Sequence, residues 1–138
     1  MAVRVRIRIH TSKAKHADVV AVANAGAETD VPILAIPPEI AQELGLWPSK
    51  GYSTVSLREL TSESFGYMLE EQVLTELLDE KGNKVSEARS YVLIKPGLDE
   101  ATLSDALIEA LGIVILQAKK GVWKHVNDPP SVARESAS

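Results

Sequence analysis

Residues 18–46 read DVVAVANAGAETDVPILAIPPEIAQELGL, and their punctuation decides the fold. Val19 to Ala23 is an apolar run of strand-forming residues. It breaks at Asn24-Ala25-Gly26-Ala27, where glycine supplies backbone freedom that other residues lack. A second apolar run, Ile33 to Ile36, leads into Pro37-Pro38 and a short helix, Glu39 to Leu44. Gly45 stands where helices commonly stop. The stretch therefore reads strand, tight small-residue turn, strand, short helix.

Working outward toward the start, Val3, Val5, Ile7 and Ile9 alternate with Arg4, Arg6, Arg8 and His10. Such alternation is a half-buried strand. The arginines share its wet face, either as an anion-binding patch or as a solvated, charge-protected surface. Thr11 to Ala17 is a polar connection. His16 has no second histidine at ligand spacing, so no metal site and no cofactor are expected.

Beyond the helix, Trp47 to Gly51 reads as a turn and Tyr52 to Leu60 as a strand. Thr61-Ser62-Glu63-Ser64 is a polar tip. Phe65 to Asp79 is ambiguous. Leu69, Val73 and Leu77 lie at helical spacing, and local pattern slightly favours a helix. The turn Glu80-Lys81-Gly82-Asn83 and the returning strand Val85 to Ile94 favour a strand instead, and a strand is expected. After the loop at 96–100, Ser104 is an N-cap candidate with Asp105 in the first turn. Leu107, Ile108 and Leu111 give that second helix its apolar face, Gly112 ends it, and Ile113 to Leu116 is a strand. Lys119-Lys120-Gly121 turns into a last strand, Val122 to Val126.

The chain is expected to be mainly β, with two short helices at about 38–45 and 104–111. One domain covers 1–126, and NDPPSVARESAS, 127–138, lacks apolar periodicity and reads as a flexible tail. With 138 residues, 45% hydrophobic and 25% charged, the chain is long enough to bury a core. A net charge of −4 disfavours nucleic acid. The absence of cysteine excludes disulfides and thiolate chemistry. No apolar run approaches the roughly 20 residues of a membrane helix. Charge alternates at the very start, so a secretory signal is not expected and cytoplasmic location is the default.

The order of these elements resembles the retropepsin-like aspartic protease family. In that family the first turn reads Asp-Thr-Gly-Ala, and here it reads Asn24-Ala25-Gly26-Ala27. The family's second half carries two apolar residues and a glycine, a short helix, Leu-Gly-Ile and a strand. Thr102-Leu103-Ser104, the helix to Leu111 and Gly112-Ile113 match it, with Ser104 in place of the glycine. The paired Leu44-Gly45 and Leu111-Gly112 ends mirror the family's internal pseudo-symmetry. The resemblance spans Val3 to Val126 and implies a small closed β-barrel of the retropepsin type. It also implies a C2 homodimer, with the first and last strands as interface candidates. A peptide or protein substrate would lie in a groove between copies. Asn24, Ala25 and Gly26 then occupy the catalytic turn. Ala27 and Glu28 line the groove, and Thr61, Ser62, Glu63, Ser64 and Gly66 cover it.

The departures alter the chemistry. Asn24 cannot titrate, and Ala25 lacks the hydroxyl that supports the paired turns. Three explanations of Asn24 follow. The chain is a non-catalytic relative that keeps the groove, or it is an active protease silenced by an introduced substitution. Alternatively Glu28, Asp30 or Asp105 acts in a rearranged site. Outside the resemblance stands a third functional class, a β-module binding an anion through Arg4, Arg6 and Arg8. No Gly-x-Ser-x-Gly elbow or phosphate-binding glycine loop is present.

Overall fold

The computed structural model describes residues 2–23, 29–49, 51–58 and 63–138. Among them the order is β1 (Val3–His10), β2 (His16–Ala23), β3 (Ile33–Ile36), α1 (Pro38–Glu43), β4 (Tyr52–Arg58), β5 (Glu63–Leu78), β6 (Lys84–Ile94), β7 (Ala101–Leu103), α2 (Asp105–Ala110), β8 (Ile113–Gln117) and β9 (Val122–His125). The chain is mainly β with two short helices, as expected.

Alternation in β1 buries Val3, Val5, Ile7 and Ile9 and leaves Arg6 exposed. A tight connection at 11–15 returns the chain as β2, with His10 opposite His16 and Val3 opposite Ala23. The sheet then runs β1-β2-β7-β3-β6-β5-β4, and β5 also pairs with β1. That last pairing, Arg6↔Leu78 through His10↔Leu74, closes β1, β2, β7, β3, β6 and β5 into a six-stranded barrel. Closure removes the free edges that an open sheet would leave. β4 lies outside the ring, paired along its length with β5.

The ambiguous stretch is strand. β5 alternates Val73, Thr75 and Leu77 inward, with a register shift between Met68 and Gln72. The polar tip is shorter than read, because Glu63 and Ser64 already pair with Arg58 and Leu57. The strand β7 has no counterpart in the sequence reading. It is three residues long and directly precedes α2.

Both helices end as their glycines suggest. Gly45 and Gly112 take φ of +70° and +76°. At the first, Gly45 N donates to Gln42 O and Leu46 N to Ala41 O, satisfying the last carbonyls of α1. Inside the barrel, Ile7, Ile9, Leu34, Ile36, Leu77 and Ile94 are among the fully buried side chains. Leu107 and Leu111 join α2 to the same core. Burying a side chain of this size contributes about 1.5–3 kcal/mol. Among the described residues no helix is long and apolar enough to cross a membrane.

Residues 127–138 lie against the body of the protein. Trp123 N donates to Arg134 O at 3.0 Å, and Ala137 N to Arg4 O at 2.9 Å. These contacts pair backbone with backbone and leave no trace in apolar periodicity.

Candidate functional site

Of the residues assigned to the groove, Asn24, Ala25, Gly26, Ala27, Glu28, Thr61 and Ser62 lie outside the described residues. The elements that flank them in sequence are described. β2 ends at the buried Ala23, immediately before Asn24. β2 and β3 follow one another in the chain, yet β7 lies between them. Ala23 pairs with Leu103 in parallel, and Leu103 pairs with Leu34 in antiparallel. The connection from Asn24 to Pro32 therefore joins two strands that flank a third.

The start of α2 fastens the far side of that connection. Ser104 is the N-cap, and its Oγ accepts from Leu107 N at 3.2 Å. The same oxygen accepts from Ile33 N at 2.9 Å, and Ser104 N donates to Ile33 O at 3.0 Å. Asp105 Oδ1 accepts from Thr29 N at 2.9 Å and from Ala106 N at 2.8 Å. Two neighbouring side chains thus fix both Thr29 and Ile33. A backbone amide pair occupies one Asp105 oxygen, the role of an acid that caps amides at a helix start. Asp30 is exposed.

The second part of the site is the arm formed by β4 and β5. Gly66 is buried and sits opposite Val55. Phe65, Tyr67 and Leu69 point to one face of β5 by strand alternation, and Tyr52 lies opposite Leu69. Leu69 is buried and Phe65 is 60% exposed, so this face runs from the core out to solvent. At its base three rings meet. Trp47 stacks on Tyr67 with centroids 5.0 Å apart, and Tyr52 meets Trp47 edge-on at 5.1 Å and Tyr67 at 5.5 Å. Offset and edge-on contacts of this kind add about 0.5–1.5 kcal/mol each beyond burial. The sequence reading missed this cluster. Its residues lie up to twenty positions apart, and only the register of β4 on β5 brings them together.

The arginine face of β1 is largely neutralised. Arg4 makes a two-pronged pair with Glu100 at 2.9 and 3.0 Å, and Arg8 with Asp18 at 2.6 and 2.8 Å. Each guanidinium holds its partner carboxyl below the usual carboxylate range through hydrogen bonding. His10 Nε2 lies 2.6 Å from Glu76 Oε1. His16 is exposed and His125 is buried, its Nδ1 accepting from Asn127 N at 3.2 Å. Among the described residues no three acid or histidine side chains come together as metal ligands.

No protein-family model matches this chain, and no curated protein matches it.

Proposed function

We propose that the chain acts as an aspartic-protease-like homodimer of the retropepsin type, without its catalytic carboxylate. It binds an extended peptide in the groove between copies by strand addition. The observation that carries this reading is the placement of β7 between β2 and β3. Beside it, Asp105 and Ser104 at the start of α2 hold Thr29 and Ile33, the described residues that follow Asn24-Ala25-Gly26-Ala27 in sequence. Anchored flanking residues are what a preorganised catalytic or binding turn requires.

The chemistry follows from the residue at the turn. In an active dimer, two carboxylates lie side by side and share one proton, because both cannot ionise at close range. One then activates water while its partner protonates the peptide carbonyl. Asparagine hydrogen-bonds but neither takes nor gives up a proton. In a symmetric dimer both copies of the base are lost together, so the groove is left with binding. The alternative of a rearranged acid site finds no support in Asp105, whose Oδ1 is engaged by two amides. The anion-module reading is disfavoured by the pairing of Arg4 and Arg8.

β4 supports the mode of binding. Among the described strands it pairs only with β5, so no described strand occupies its outer backbone edge, where a guest strand would add. Tyr52, the first residue of β4 and 44% exposed, offers an apolar contact to the guest and is backed by Trp47 and Tyr67. The test is calorimetric titration with unstructured peptides selected from a display library. The expected result is saturable binding that Tyr52→Ala weakens about tenfold, the loss of one aromatic contact. A folded protein that binds no selected peptide, or binds equally well after Tyr52→Ala, would overturn this mode.

A further inference from the structure

The last strand, β9, has two backbone edges. One pairs with β8, from Ile113↔His125 to Gln117↔Val122. The other is covered by the chain's own closing segment. Trp123 N donates to Arg134 O at 3.0 Å and Arg134 N to Trp123 O at 2.6 Å, an antiparallel bridge. The segment continues onto the start of β1. Arg4 N donates to Ser136 Oγ at 2.9 Å, Ser136 Oγ donates to Gly121 O at 2.6 Å, and Ala137 N donates to Arg4 O at 2.9 Å.

A latch holds the segment in place. Asp128 takes Arg134 with two bonds of 2.8 and 2.9 Å, and also accepts from His125 N at 2.9 Å. The Arg134 guanidinium lies 5.3 Å over the Trp123 ring. Trp123 is only 4% exposed, and its Nε1 is buried without a hydrogen-bond partner among the described residues. The segment is therefore the cover of an apolar ring and of two strand edges. A cleft of about 550 Å³ remains along the seam. Its charged lining is balanced, with Arg4, Arg6 and Arg134 against Asp79, Glu80 and Glu135. That balance suits a removable stretch of chain better than a small anion.

We propose that residues 133–137 are an intramolecular cap on the assembly edge, so that two copies pair through β9 and the start of β1 only when the segment lifts. This rests on the dimeric reading above. The direction of the cap carries the argument. It runs antiparallel to β9 in the place that a second copy's β9 would take, because two identical strands related by a two-fold axis also pair antiparallel. An uncovered strand edge is a template for pairing with another chain. Leu116 of β8 and Val126 just after β9, 46% and 59% exposed, extend apolar surface at the same hairpin.

The experiment uses the whole chain with Arg134→Pro and Ala137→Pro, which remove the two backbone donors of the cap. A milder companion, Arg134→Ala with Ser136→Ala, removes the latch and the hydroxyl and carries the test if the prolines prevent folding. Sedimentation velocity reads association. Emission in a Trp47→Phe background reads Trp123, since the chain has two tryptophans. The unmodified chain is expected to sediment as a reversible monomer–dimer mixture, its pairing limited by the closed segment. Both opened variants are expected to associate at least about tenfold more tightly, and at high dilution to show red-shifted Trp123 emission. Equal association of opened and unmodified chains overturns the cap. So does an opened variant that exposes Trp123 yet stays monomeric, or a folded variant whose emission does not move. If opened dimers form but bind no selected peptide, the functional reading fails and the cap stands. If the unmodified dimer binds peptide and the opened variants pair no more tightly, the cap fails and the functional reading stands.

Discussion

Ser104 Oγ is shared between two backbone donors, one within its own helix and one on β3. The first is local, three residues ahead, and follows from the preference for serine before a helix. The second spans 71 positions, and no local pattern announces it. The same division holds for Asp105, legible as an acid in the first turn but not as the anchor of Thr29. Ser104 is 4% exposed, so its removal strands two amides in a dry place. Ser104→Ala is expected to cost about 1–3 kcal/mol in urea unfolding. Asp105→Asn keeps an oxygen acceptor and is expected to stay within about 0.5 kcal/mol of the parent. A large loss for Asp105→Asn would mean that its charge matters beyond capping amides.

β5 illustrates why some elements are hard to read. Leu69, Val73 and Leu77 recur every four residues, and four is close to one helical turn and also an even number. The spacing therefore satisfies a helix and a strand equally. The residue that separates the two is Thr75, fully buried between Val73 and Leu77 as only a period of two allows. Partners rather than propensity settle the matter, because β5 pairs with β4, β6 and β1. The turn that returns it was legible from Gly82, which takes φ of +82°. Asp79 Oδ1 accepts from Lys81 N and Asn83 N across that turn. A Cβ on Gly82 would meet nothing within 4 Å, so Gly82→Ala tests conformation alone. It is expected to lower stability by about 1 kcal/mol, read by thermal unfolding. No loss would mean that the turn adopts another backbone shape. β7 escaped the sequence reading for the opposite reason. Three residues are too few to show a period, and its place between β2 and β3 is fixed by tertiary pairing.

At the scale of the molecule, the barrel closes where β1 meets β5, and the start of α2 holds Thr29 and Ile33. The mainly β architecture and both helices were legible because alternation, paired prolines and helix-ending glycines are local signals. Closure, the aromatic cluster and the cap over β9 were not, since each joins residues far apart in the chain. The central claim is that the groove of an acid protease persists here without its base. It is tested most directly by peptide-library cleavage between about pH 3 and pH 7, the range in which paired carboxylates titrate, comparing the chain with Asn24→Asp. The account predicts no cleavage by the unmodified chain and pepstatin-sensitive cleavage by Asn24→Asp, rising and falling with pH as one shared proton requires. Cleavage by the unmodified chain, or none by a folded, dimeric Asn24→Asp, would contradict it.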